Sequence, residues 1–155
     1  MGLHVNVPQS QLIDGNIKEH RNRVWWSVYI LDRQWATMLG QPVTIGDEYV
    51  DVDLPSRLDA PTGSAEDFDT DPECLTAGVR VAKLAAQITA SIYTGRMTLG
   101  NTFAQRMQQA LRDLTSWLAA LPDHLRLAMN NDFSNASMQV ITLHLYFNQV
   151  SNGCI

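Results

Sequence analysis

From Lys18 to Leu39 the apolar positions recur at helical spacing. Val24, Val28, Leu31, Trp35 and Met38 follow one another at intervals of 4, 3, 4 and 3, and Trp25, Tyr29 and Leu39 widen the stripe. This pattern predicts an amphipathic helix with a broad buried face. Glu19 and Arg23, four residues apart with the acid first, support its exposed side. Gly40 stands at the C-cap and Pro42 prevents continuation. The predicted helix therefore runs from about Lys18 to Leu39.

Three more helices follow from the same reasoning. Asp71-Pro72-Glu73 supplies an N-cap, a first-turn proline and a first-turn carboxylate. The helix they open carries Leu75, Val79, Ala82, Ala85 or Ala86, Ile88, Ile92 and Tyr93 to about Leu99, where Gly100 closes it. Its alanine-rich middle suits a close neighbouring helix. Thr102 opens a third, with Phe103, Met107, Ala110, Leu111, Leu114, Trp117, Leu118 and Leu121 ahead of Pro122. Ser134 is the expected cap of a fourth, whose apolar face is read as Met138, Ile141, Leu145 and the pair Tyr146-Phe147. No Asn-Gly or Asp-Gly turn lies between alternating runs. The fold class is all-α: several helices with a long acidic loop between the first long helix and the second.

Charge changes the picture in that loop. Net charge is −5, and ten of the sixteen acidic residues fall between Asp47 and Glu73, where Arg57 is the one basic residue. Val43, Ile45, Val50, Val52 and Leu54 offer anchors for the first part of the loop. Residues 56–71 are polar and acidic and are expected to be a mobile loop. No basic patch or stripe of the kind that holds nucleic acid is visible. No uncharged apolar run reaches the roughly 18 residues a bilayer span needs, so no membrane is expected as a partner. The N-terminus lacks the pattern of a signal peptide.

The searches for chemistry return little. Cys74 and Cys154 are too few for a disulfide framework or a multi-cysteine zinc site. Phosphate-loop, dinucleotide and nucleophile-elbow motifs are absent. His4, His20, His124 and His144 are dispersed, and a zinc or triad site would require tertiary convergence. Asp47, Glu48, Asp51 and Asp53 lack the ligand order of a calcium loop and read as a solvated acidic loop. Trp25 and Trp26 beside Arg21 and Arg23 suggest a ligand platform, but neighbours about 100° apart on a helix cannot face one pocket equally. Trp25 is expected in the core, with Trp26 covering a second element. Asp32 and Arg33 read as bonds tying this helix to its neighbours. Catalytic, metal and cofactor-binding residues are therefore not assigned.

The segment Glu19 to Pro55 resembles the signature of the fungal-specific transcription factor domain, or middle homology region. The family pattern is approximately E-x-R-R-R-V-W-W-x-x-Y-x-L-D-R, then L-G-x-P, an isoleucine, an acidic cluster and L-P. Glu19, Arg21, Arg23, Val24, Trp25, Trp26, Tyr29, Leu31, Asp32 and Arg33 carry the first part. Leu39, Gly40, Pro42, Ile45, Asp47, Asp51, Val52, Leu54 and Pro55 carry the second. Asn22 departs from the pattern, standing where the family more often has an arginine on a basic edge. Gly2-Leu3-His4 and the segment Leu143 to Gln149 resemble motifs of an earlier and a late helix.

The resemblance implies one regulatory domain over 1–155, truncated at both ends, from a Zn2Cys6 regulator of the xylanolytic-activator type. It implies a nuclear, non-enzymatic protein whose zinc and DNA contacts reside in a region this chain lacks. A homodimer, a co-regulator and a small-molecule inducer are the implied partners. Loss of a helix before Gly2 should bare the apolar face around Trp25 and Trp35 and leave the chain marginally soluble or oligomeric. The alternatives are a helical adaptor that docks through its tryptophan-rich helix and a small helical enzyme domain.

Overall fold

The computed structural model describes residues 2–6, 14–56, 71–95, 101–127 and 137–152. The described residues form four helices: α1 (Gly15–Leu39), α2 (Pro72–Gly95), α3 (Asn101–Ala119) and α4 (Met138–Asn152). Single turns of 3-10 helix cover Asp47–Tyr49 and Asp123–Leu125. Among the described residues the one β element is an isolated parallel bridge between Val5 and Asp51. The all-α architecture follows from the sequence as expected. The loop predicted over 56–71 lies outside the described residues apart from its two ends. Ser134, Leu99 and Gly100, assigned above to helix ends, also lie outside them.

α1 begins three residues earlier than the apolar stripe suggests. The Asp14 side chain accepts a hydrogen bond from the Asn16 amide, so a polar first turn is capped before the apolar pattern starts. The other end is as predicted: Gly40 takes the left-handed conformation at φ 63°, where a side chain would be strained, and reverses the chain. At α4 the capping hydroxyl is Ser137, which accepts from the Val140 amide at 3.3 Å.

α2 is the central element and packs against each of the other three helices. Its small residues explain why. Ala77, Val81, Ala82 and Ala85 are buried, the last three completely, and Gly78 comes so close to α1 that an added Cβ would meet Ile30 Cδ1 at 3.0 Å. Small side chains let helix axes approach and expose more of the larger neighbours to contact. Trp117 of α3 joins three helices. Its indole N–H donates to the Ala77 carbonyl of α2 at 3.2 Å, and its ring stacks on Phe147 of α4 with centroids 5.2 Å apart. The protonated Nε2 of His144 donates to the Leu125 carbonyl at 2.8 Å and fastens α4 to the turn after α3.

Two apolar stripes are buried only in part: Trp25 and Tyr29 of the first and Tyr146 of the second are in the core, while the centre of each stripe faces outward. In α1 the buried residues are Glu19, Asn22, Trp25, Trp26, Tyr29, Arg33 and Ala36. Val28, Leu31, Trp35, Met38 and Leu39 are exposed. Of the two tryptophans expected to be bared together, Trp25 is in the core and only Trp35 is open. In α4 the core side is Val140, Leu143, Tyr146 and Val150, while Met138 and Leu145 face solvent. The reason in α1 is physical: its inner face contains polar residues, Glu19 and Arg33 among them paired by neighbouring chain, which a hydropathy pattern scores as surface. The stripe of α3 is placed correctly, with Leu114, Trp117 and Leu121 buried.

Enlarging the fully buried Ala82 of α2 to leucine should force the helices apart. We expect Ala82→Leu to lower unfolding free energy by about 1–3 kcal/mol, read from urea denaturation, whereas Lys83→Leu on the exposed side should not.

Candidate functional site

Beyond Gly40 the chain turns back and runs antiparallel along α1 as an extended strap from Gln41 to Ser56, broken by the 3-10 turn Asp47–Tyr49. Ile45, Val50 and Val52 pack against the core, as the anchoring pattern suggests. The expectation of a solvated acidic loop is thereby corrected for this part: residues 41–56 are pinned to the helix by side-chain bonds at five levels.

At the first level Asp32 accepts from the Thr44 amide at 3.1 Å and from the Thr44 hydroxyl. At the second, Arg33, only 1% exposed, donates through NH2 to the Ile45 carbonyl and to Asp47 Oδ1, both at 2.7 Å. Its NH1 reaches Asp32 at 3.2 Å, and its guanidinium lies 3.4 Å from the centre of the Tyr29 ring. At the third, the Tyr29 hydroxyl donates to the same Asp47 oxygen at 2.7 Å. At the fourth, the Trp26 indole N–H donates to the Asp53 carbonyl at 2.8 Å, and Lys18 pairs with the Asp53 carboxylate at 2.6 Å. At the fifth, buried Glu19 accepts from Arg23 at 2.8 Å, from the Ser56 amide at 3.0 Å and from the Ser56 hydroxyl at 3.1 Å. Arg23 also donates to the Ser56 carbonyl at 3.1 Å.

A further segment is tied to the strap. Arg21 donates to the Gly2 carbonyl at 3.0 Å, and the bridge at Val5 and Asp51 is held by two backbone bonds, Asn6 N–H to Asp51 O and Asp51 N–H to His4 O. The signature residues therefore converge on one clasp. Glu19, Arg21, Arg23, Trp26, Tyr29, Asp32, Arg33 and Asp47 supply its bonds, Trp25 its core, and Gly40 its turn. Pro42, Asp51 and Leu54 are exposed, and Asp51 contributes its backbone. Pro55 is half-buried, and Asn22, assigned to a basic edge, is buried. Sequence reading missed Lys18, Thr44, Asp53 and Ser56. Nothing in their spacing marks them, because they find their partners only after the reversal at Gly40.

The charges behave as this geometry requires. Burial pushes the Asp47 carboxyl up, but hydrogen bonds from Tyr29 and Arg33 outweigh it and hold the group below its ordinary value of 3.8. Burial and the bond to Asp47 push the Tyr29 phenol well above its usual range, so it stays a donor. The Lys18 hydrogen bond holds the Asp53 carboxyl low.

Two other features stand beside the clasp. A cleft of about 600 Å³ opens where the strap leaves α1, between Thr37, Pro42 and Glu48 on one side and Ala86, Gln87 and Thr89 of α2 on the other. His124 lies 2.9 Å from Asp71 and 3.5 Å from Glu73, so one of the dispersed histidines does meet two carboxylates. The side-chain nitrogen and oxygens are of metal-ligand type and lie within 4.8 Å of one another. Asp71 Oδ1 already accepts from the Glu73 amide at the start of α2. The cluster is accounted for as an exposed fastening of the turn after α3 to α2.

A helix clasped by its own returning strap packs on a bundle centred on α2. The chain belongs to the fungal specific transcription factor domain family, whose model matches residues 1–126. It is similar to an uncharacterised transcriptional regulatory protein of Schizosaccharomyces pombe, 27% identical over 96% of this chain and 18% of that protein. It is similar also to the transcriptional activator protein acu-15 of Neurospora crassa, 28% identical over 85% of this chain and 15% of the relative. The transcription factor FBD3 of Gibberella moniliformis is 26% identical over 82% of this chain and 18% of its own length. The chain thus spans less than a fifth of the length of each of these relatives. No solved structure matches it.

Removing either partner at the centre of the clasp should be costly. We expect Arg33→Ala to destabilise the chain by about 3 kcal/mol or more, since the arginine fills buried space and pairs Asp47, and Asp47→Asn by less. A carboxyl whose folded pKa is depressed contributes stability above its unfolded value, lost as pH falls through the folded value. Unfolding free energy should therefore drop more steeply below about pH 4 in the parent than in Asp47→Asn, as urea titrations at stepped pH will show.

Proposed function

We propose that this chain is a regulatory domain of a Zn2Cys6-type fungal regulator, acting in the nucleus on DNA-templated transcription without enzymatic activity. The relatives' names, transcriptional activator and transcription factor among them, support the class of process. The observation that supports the domain's own role is the clasp, in which the signature's charged side chains bind the protein's own strap. Zinc and DNA contacts are assigned to a region outside this chain. Among the described residues no helix is long and apolar enough to cross a membrane.

The regulatory mechanism is a shift in how the strap sits on α1. The partners are a co-regulator or a small-molecule inducer. The cleft beside the strap supports the inducer: a molecule there would touch the strap and α2 together, and so would bind two strap positions with different affinity. Such a ligand can shift the equilibrium only by that difference.

Fusing the chain to an unrelated DNA-binding domain should change reporter output in fungal cells. Arg33→Ala in the fusion should alter that change at equal protein level. If the fusion behaves as the bare DNA-binding domain, with or without added cell extract, the regulatory reading is lost.

A further inference from the structure

α1 and α4 both pack on α2, and between them runs a groove of about 260 Å³. Gly78 of α2 lies in its floor: an added Cβ would meet Ile30 Cδ1 of α1 at 3.0 Å and Leu143 Cδ1 of α4 at 3.8 Å. The missing side chain leaves the space. The walls are largely apolar, and among the described residues no charged side chain lines them. The groove shares no residue with the cleft beside the strap.

One polar group on the wall stands out. Tyr146 lines the groove, is only 3% exposed, and its hydroxyl has no hydrogen-bond partner among the described residues. The other buried phenol of the core, Tyr29, donates to Asp47. A buried hydroxyl without a partner loses the bonds that water gave it and gains none in return. Burial pushes the Tyr146 phenol well above its usual range, against the pull of the nearby Arg33 guanidinium, so it stays a donor. Two other polar side chains on the walls are engaged. The Thr142 hydroxyl donates to the Met138 carbonyl at 2.8 Å, and the Gln139 side chain accepts from the Asp71 amide at 3.4 Å. Trp25 Nε1 and Arg33 Nε are also buried without partners, but neither residue lines the groove.

These features select a ligand. Apolar walls with one placed donor suit a mainly apolar molecule that presents a single acceptor. Its charge is constrained as well. Burial and the Asp71 carboxylate together push up the Cys74 thiol on the wall, and the same carboxylate opposes an anion there. A cation would find no counter-charge on the walls. A carbonyl oxygen on a neutral molecule meets neither obstacle. By the scale on which a cavity of roughly 150 Å³ takes benzene, the groove holds about ten non-hydrogen atoms. The hydroxyl is covered as the side chains stand, so a ligand reaches it by parting the walls. Met138, unbranched and 75% exposed, gives the rim that freedom.

We propose that the groove between α1 and α4 binds a small neutral molecule of about ten non-hydrogen atoms, mainly apolar, whose carbonyl oxygen accepts from the Tyr146 hydroxyl. The site does not rest on the regulatory reading, because binding is measured on the chain alone.

Methyl-labelled NMR titrations of the whole chain test it with three probes of one shape. They are acetophenone, isopropylbenzene (a methyl group in place of the carbonyl oxygen) and benzoate. Acetophenone should move the methyl signals of Ile30, Leu143 and Met138, saturating near roughly 10 mM, and leave that of Ile45 on the strap in place. Tyr146→Phe should weaken acetophenone about fivefold and isopropylbenzene not at all. The variant loses only an unpartnered hydroxyl, so its urea midpoint should not fall. Benzoate should bind the parent more weakly than acetophenone does. Should the variant fail to fold, the parent still decides: the carbonyl stretch of bound acetophenone should lie below its value in heptane. Four results overturn the proposal: no shift at the three methyls, a Tyr146→Phe effect on acetophenone no larger than on isopropylbenzene, a carbonyl stretch at the heptane value, or tighter binding of benzoate.

Discussion

One guanidinium sets the arrangement of the chain. Arg33 is buried in the first helix, and a buried charge is tolerable only when paired and hydrogen-bonded. Its partners are the Asp32 carboxylate, the Ile45 carbonyl, the Asp47 carboxylate and the face of Tyr29. Ile45 and Asp47 lie beyond the reversal at Gly40. The helix therefore cannot bury its inner face unless the strap returns, and the strap cannot return unless Gly40 turns. Tyr29 also lies in the core shared with α2, and Lys83 of α2 adds its charge near Asp47, so the clasp is continuous with the packing of α1 on α2.

The division of labour between the two halves is clear in their composition. α2, α3 and α4 meet through alanine, valine, leucine and stacked rings, with the Trp117 indole as a polar pin. α1 meets its strap through ion pairs and backbone carbonyls. Apolar contact is proportional to area and indifferent to direction, whereas hydrogen bonds to carbonyls fix position. The first half gives adhesion, the second register. A family signature made of Arg, Trp, Tyr and Asp is what a register device requires.

The helices were legible because most of their boundaries are local events: Gly40, Pro42, Asp71-Pro72 and Pro122 act on their own neighbours. The resemblance through Pro55 gave the family, and the structure places most of its polar members in separate groups of bonds along one strap. The inner face of α1 was not legible. Glu19, Asn22 and Arg33 are buried, and a periodicity argument must assign such residues outward. Thr44, Asp53 and Ser56 were invisible for a related reason, since their roles depend on a partner 12 to 37 positions away in the chain. In α4, Met138 and Leu145 drew the centre of the stripe outward, because a helix rich in apolar residues offers more than one acceptable face.

The strap is longer than its task demands. From Asp32–Thr44 to Glu19–Ser56 the helix climbs thirteen residues, about 20 Å, while the twelve strap residues alongside could reach about 40 Å if fully extended. The surplus is taken up in the turn at Asp47–Tyr49 and the bends around it. The chain's contour length does not hold the strap in place; the pins do. The segment behaves as a slack cord tied at fixed points, so a change of length between two pins is absorbed as curvature, while the loss of a pin releases several residues at once.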